Sequence, residues 1–161
     1  MTFAAGKGWF NYRVGAILLR DGCVLMAHNS RDPYYYSLGG RVQFGESAEE
    51  AVRREVVEEL GTAPQTQRLG FIYEVFFPLI DSGGAPCHEL NLFYYITMPA
   101  DWDLDSRHQS MSDGLVGDDK SAEWFEWLPL DRLHTVRAYP WWFATELVGT
   151  YDGIRHLVTR E

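Results

Sequence analysis

Cysteine is scarce in this chain: Cys23 and Cys87 are the two among 161 residues. Two thiols build no disulfide framework, and their spacing is unlike the C-x-x-C of a metal or redox motif. They read as reduced thiols of a cytoplasmic protein. Long apolar runs are absent, so no segment approaches the ~20 residues of a transmembrane helix. The opening stretch from Met1 to Phe10 lacks the apolar core of a secretion signal. Positive charge is also in short supply, with 14 Lys and Arg against 23 Asp and Glu and a net charge of −9. That balance excludes a protein that coats a nucleic acid polymer, whose phosphates call for a basic surface. It equally excludes a membrane-surface helix rich in Lys and Arg. A phosphorylated small molecule stays within reach of an acidic protein if cations mediate the contact. Internal repeats and low-complexity tracts are missing as well.

What remains is a chain able to fold as one domain over residues 1–161: 46% of its residues are hydrophobic and 15% aromatic. Residues 12–19 are short and apolar, as in a buried strand. Asp21-Gly22 is a hairpin turn signal, with a returning strand over 23–27. Residues 34–36 form a short strand or ordered loop, and Leu38-Gly39-Gly40 is expected to interrupt regular structure. Strand patterns recur over 70–77, 89–98, 122–128 and 154–159. Residues 100–121, rich in aspartate, read as an irregular surface loop, and 138–148 as an aromatic-rich helix opening near Pro140. Strands and helices interleave, which predicts an α/β chain (α+β in some schemes), a mixed β-sheet with helices packed on it.

The clearest helix starts at Ser47-Ala48-Glu49-Glu50, a capping box, and runs to Leu60. Gly61 suits the left-handed position past its end, and Pro64 follows. On this helix Glu55, Glu58 and Glu59 stand at i, i+3 and i+4, sharing one face that borders the apolar arc of Ala48, Val52, Val56 and Leu60. Like charges at that spacing repel, and more so as they are buried. Arg54 offsets Glu58 at i+4, while nothing within the helix neutralises Glu55 and Glu59. A hard divalent cation resolves the conflict, since Mg²⁺ and Mn²⁺ prefer carboxylate oxygens.

The stretch from Gly40 to Thr62 resembles the Nudix box, G-x5-E-x7-R-E-U-x-E-E-x-G-U, with U a bulky apolar residue. Gly40, Glu46, Arg54, Glu55, Val56, Glu58, Glu59 and Gly61 fill eight of its nine specified positions. Thr62 departs at the last, and Leu38 stands where family members often carry proline. Neither departure removes a ligand. The resemblance implies the Nudix fold, a mixed sheet sandwiched between helices. It also implies Mg²⁺- or Mn²⁺-dependent attack of water on the diphosphate bridge of a nucleoside diphosphate linked to another moiety. By position, Glu55, Glu58 and Glu59 are the implied metal ligands, with the Gly40 carbonyl as a further one. Arg54 holds those carboxylates, and Glu46 anchors loop to helix. Candidates for the general base are Glu123, Asp118, Asp119 and Glu89, of which Glu123 is preferred because it lies just before the Trp-containing strand. Tyr34, Tyr35, Tyr36, Trp124, Trp127, Tyr139, Trp141 and Trp142 are the pool from which a base or sugar could be stacked. His28, His88, His108, His134 and His156 show no ligand spacing.

The choice among a nucleoside triphosphate, ADP-ribose, a nucleotide sugar and a dinucleoside polyphosphate lies outside the box. The proline-rich array of NADH-type members is absent, and Pro78 is out of register with the proline of ADP-ribose members. A homodimer is compatible with the sequence. The alternative function is a nucleotide-sensing Nudix domain without catalysis. Such domains usually lose box carboxylates, and every one of them is present here.

Overall fold

The structure, a computed structural model, describes every residue except 30, 81–82, 105–108, 113–120 and 150–151. Four strands precede the main helix: β1 (Thr2–Ala5), β2 (Gly8–Arg20), β3 (Cys23–Asn29) and β4 (Tyr35–Arg41). Helix α1 (Ala48–Leu60) leads into β5 (Thr66–Leu79), β6 (Ala85–Thr97), β7 (Gln109–Ser112) and β8 (Ser121–Pro129). A 3-10 helix (Leu130–Thr135), β9 (Ala138–Tyr139), α2 (Phe143–Glu146) and β10 (Arg155–Arg160) complete the chain. The strands form a mixed sheet in the order β10-β5-β6-β2-β4-β3-β8-β7, with β1 added beside β2 and β9 beside β4. Along this order β2 runs parallel to β6 and β10 parallel to β5, and the other neighbours are antiparallel. The class is α+β, with the mixed sheet expected. Among the described residues no helix is long and apolar enough to cross a membrane.

Side-chain alternation along β2 explains the layers. Val14, Ala16 and Leu18 point to one face and pack with Ala48, Ala51, Val52, Val56 and Leu60 of α1. Ile17 points to the other face and joins Phe71, Phe93, Trp142, Phe143 and Leu147. The second face is therefore covered by the C-terminal segment rather than by a long helix. The helix expected over 138–148 is not formed as such: Ala138 and Tyr139 pair with Tyr35 and Tyr36 of β4, and only Phe143–Glu146 is helical. Burial overrides helical periodicity here, because the Trp142 ring centroid lies 4.4 Å from that of Phe71 and 5.1 Å from that of Phe93.

Two further expectations are corrected. Residues 38–40 do not interrupt the sheet but belong to β4, where Leu38, Gly39 and Gly40 pair with Ala16, Gly15 and Val14. The glycines serve close approach. Gly39 has φ +130°, and a Cβ there would overlap the Val14 carbonyl oxygen. Gly39→Ala should destabilise the protein by at least about 1–3 kcal/mol through backbone strain alone. Urea unfolding checks this, and an unchanged midpoint would show that β4 relaxes freely. The segment 100–121 is not wholly irregular either, since Gln109–Ser112 pairs with β8 from Gln109↔Trp124 to Ser112↔Ser121. Trp102 and Leu104 also pack against the α1 core. Asp118, Asp119 and His108 lie outside the described residues.

Candidate active site

Helix α1 is set in phase by its ends. The Ser47 hydroxyl accepts from the Glu50 amide at 3.2 Å, and the Ser47 amide donates to the Glu50 carboxylate at 2.8 Å. At the other end Gly61 adopts φ 71° and donates its amide to the Val57 carbonyl at 2.9 Å. With Val52 and Val56 fully buried, the three box carboxylates fall at three depths. The Glu58 side chain is 55% exposed and that of Glu55 15%, while Glu59 as a residue is only 9% exposed.

Each carboxylate has a different partner. Glu59 accepts the Gly39 amide with both oxygens at 3.1 Å. Glu55 lies against Gly40 so closely that a Cβ at Gly40 would sit under 3.0 Å from its carboxylate. Backbone and carboxylate can meet there only because the residue is glycine. Arg54 connects the rest. Its Nη1 donates to Glu55 Oε1 at 2.8 Å and to Glu58 Oε2 at 3.2 Å. Its Nη2 donates to Glu46 Oε1 at 2.7 Å and to the Arg41 carbonyl at 3.0 Å, and its Nε to Glu46 Oε2 at 3.1 Å. Glu46 Oε1 also accepts the Gln43 amide at 2.6 Å. Arg54 thus serves Glu55 as well as Glu58, which helix spacing alone did not reveal. The guanidinium geometry locks the loop before α1 onto the helix.

Glu123, on β8, is buried, with 4% exposure. It accepts a very short hydrogen bond from the Tyr36 hydroxyl, which itself accepts from Asn29 Nδ2 at 3.3 Å. The charges of Glu123 and Glu55 both act on Glu59. Burial first, then these two neighbours, push the Glu59 carboxyl well above the usual carboxylate range, against the pull of the Gly39 amide. Burial likewise raises Glu55, with Arg54 opposing. The hydrogen bonds from Arg54 lower Glu46 and raise Arg54 itself. The site is therefore a cluster of carboxylates held apart by one guanidinium and one backbone amide. Among the described residues no three acidic, histidine or cysteine side chains stand converged as a metal cage, because Glu55 and Glu58 are turned onto Arg54 and Glu59 onto Gly39.

The remaining candidates separate clearly. Glu89 pairs in register with Asn11, on the face opposite α1, and accepts from Asn11 Nδ2 and Asn91 Nδ2, each at 3.0 Å. Trp142 belongs to the core, whereas Trp141 and Tyr139 are exposed. Trp124 lies beside His28, and Arg20 sits over Trp127. His88 and His156 both meet Glu74, at 2.9 and 2.7 Å. Tyr36 and Asn29 were not recognisable as orienters of Glu123. The Tyr36–Glu123 pair spans 87 residues, and only the β4-β3-β8 pairing brings the two together.

The fold and this carboxylate helix define the class, and the chain belongs to the NUDIX family: the NUDIX domain model matches residues 9–146. A MutT NUDIX hydrolase from Burkholderia pseudomallei superposes with a TM-score of 0.61 at 26% identity, covering 87% of this chain and 98% of that one. A MutT protein from Bacillus halodurans gives 0.65 at 19% identity, covering 91% and 89%. In sequence, the isopentenyl-diphosphate Delta-isomerase of Leifsonia xyli subsp. xyli is 32% identical over 121 residues, 71% of this chain. The match spans 58% of the length of that curated relative.

Proposed function

We propose that this protein hydrolyses the diphosphate bridge of a nucleoside diphosphate linked to another moiety, with Mg²⁺ or alternatively Mn²⁺ as the resident ion. The observation that carries the reading is the crowding of Glu55 and Glu123 around the buried Glu59, on which both of their charges act. Carboxylate oxygens beside the Gly40 backbone are the donor set a hard divalent cation takes. Glu55, Glu58, Glu59 and the Gly40 carbonyl would hold it. Bound there, the ion would neutralise phosphate oxygens and lower the pKa of a water molecule.

The chain's own residues supply the rest. Arg54 keeps Glu55 and Glu58 oriented and fixes the loop through Glu46. Glu123, held by Tyr36, takes the proton of the attacking water as the oxygen–phosphorus bond forms and the bridging bond breaks. A panel of nucleoside triphosphates, ADP-ribose, nucleotide sugars and dinucleoside polyphosphates with Mg²⁺ or Mn²⁺ tests this. Release of phosphate, pyrophosphate or nucleotide from at least one of them is expected. No turnover of any would leave the sensing reading standing.

The 32% identity to an isopentenyl-diphosphate isomerase adds a second reading, migration of the double bond in isopentenyl diphosphate. Isopentenyl diphosphate therefore belongs in the panel, with product analysis for isomer as well as for phosphate. Isomer formation without any hydrolysis would replace the first reading by the second.

A further inference from the structure

A buried carboxamide stands behind the pairing of Tyr36 with Glu123. Asn29 is the last residue of β3, is 8% exposed, and lies directly opposite Glu123 in the β3-β8 register. Tyr36 pairs with Ala27, two residues before Asn29, so Asn29, Tyr36 and Glu123 project from one face of the sheet. That face is the one turned to α1, since Leu25 and Leu38, further along the same rows, pack in the α1 core.

The Asn29 side chain uses its full hydrogen-bonding capacity. Its Oδ1 accepts the Arg31 amide at 2.9 Å and the Asp32 amide at 2.8 Å. Its Nδ2 donates to Asp32 Oδ2 at 3.0 Å and to the Tyr36 hydroxyl at 3.3 Å. Two acceptor positions and two N–H donors are the whole inventory of a carboxamide. The group cannot turn over, because a reversed amide would aim its NH₂ at two backbone N–H groups and its oxygen at a carboxylate.

This orientation decides the polarity of Tyr36. A hydroxyl carries one proton. The Asn29 N–H occupies an acceptor position on the Tyr36 oxygen, so the hydroxyl proton is directed to Glu123. Burial and the Glu123 carboxylate keep that proton on the phenol, pushing Tyr36 far above its ordinary value against the pull of Asn29. An acceptor in place of Nδ2 would compete with Glu123 for the single proton.

We propose that Asn29, set by the loop contacts it makes with Arg31 and Asp32, is a positioning residue that fixes the Tyr36 hydroxyl as a donor to Glu123. Glu123 is thereby held in place as the acceptor for the proton of the attacking water. The role of Glu123 as base rests on the hydrolase reading above, whereas the polarity of the Asn29–Tyr36–Glu123 chain does not.

The test exchanges the side chains at positions 29 and 32. Asn29→Asp combined with Asp32→Asn keeps one carboxylate, one carboxamide and the acceptors for the two backbone amides, but removes the N–H that faces Tyr36. The exchanged protein should unfold at a urea concentration near that of wild type. Its kcat should fall about tenfold with KM little changed, the scale of a lost orienting partner. Asp32→Asn alone should stay within about twofold of the wild-type kcat, the limit of independent sites. In the Tyr36→Phe background the exchange should cost nothing further, because Asn29 acts through that hydroxyl. Asn29→Ala serves in the same cycle if the exchanged protein does not fold. A wild-type kcat in these position-29 variants, or losses that multiply with that of Tyr36→Phe, would overturn the assignment. Urea unfolding reads the chain without any reaction. The effects of Tyr36→Phe and Glu123→Ala should be non-additive in the wild type and additive once Asn29 is replaced. Equal coupling in both backgrounds, or none in either, would overturn the polarity whatever the substrate. Coupling that depends on Asn29, without turnover of any panel member, retires the hydrolase reading and keeps Asn29 as the residue that orients Tyr36.

Discussion

Glu59→Gln should unfold at a higher temperature than wild type in EDTA at pH 8, and should lose turnover by about 10²-fold or more. The two effects have one origin. Glu59 is buried among like charges and its carboxyl is pushed well above the usual range. A raised folded-state pKa contributes stability that is fully present below the unfolded value, about 4.3, and is lost as pH rises through the folded value. Wild type should therefore lose stability from mildly acidic pH upward, while the amide variant does not. The gap between them should widen with pH. Glutamine is nearly isosteric, keeps an acceptor for the Gly39 amide, and offers an NH₂ towards the neighbouring carboxylates. Added Mg²⁺ should reverse the order. A ligand at 100 times its Kd adds about 2.7 kcal/mol to the folded state, and Glu59→Gln should gain much less than wild type. Glu46→Gln is the comparator. Glu46 faces Arg54 and the Gln43 amide, so this variant should keep most of the Mg²⁺ gain while losing rate. Thermal unfolding of all three proteins across pH and Mg²⁺ checks this. A Glu59→Gln protein less stable than wild type in EDTA would show that Gly39 binding outweighs the crowding. Identical Mg²⁺ responses in both variants would erase the division between ligand and loop anchor.

Glu123→Gln should lower kcat by about 10²-fold or more with KM little changed, the scale of a lost general base. Its burial and the very short hydrogen bond from Tyr36 hold one carboxylate orientation against the Glu59 side of the site. Tyr36→Phe removes that restraint and leaves the carboxylate itself in place. A fall of about tenfold is expected, the lower end of what orienting partners contribute. A Glu123→Gln rate within threefold of wild type would make the residue a buried structural carboxylate and return the base to the remaining acidic residues.

Much of this site is written locally in the chain. The capping box at Ser47, the stop at Gly61 and the carboxylates at 55, 58 and 59 follow from positions within one helix, where spacing converts directly into a shared face. The box from Gly40 to Thr62 carried the family for the same reason, and the NUDIX domain match agrees with it. The strands at 12–19, 23–27, 70–77, 89–98, 122–128 and 154–159 were legible from apolar patterning, although most extend beyond those bounds. Turn glycines were ambiguous: the pair at Gly39-Gly40 signals a break in isolation, but in the sheet it permits contacts with Val14 and Glu55.

Pairing across distant strands was not legible. Which of three helical carboxylates is buried depends on where β4 presents the Gly39 amide, a contact 20 residues away. Arg54 reaches Glu46 eight residues back because the loop folds over the helix. Glu123 meets Tyr36 through the order β4-β3-β8, and Arg13 meets Arg41 through the β2-β4 register. The aromatic segment after Pro140 has a helical period, yet Trp142 and Phe143 are drawn into the core. A helix is specified by neighbours three and four residues apart, so its chemistry can be read along the chain. Strand register, burial depth and the company of a charge are set by segments tens of residues apart, and they exist only once the sheet has closed around them.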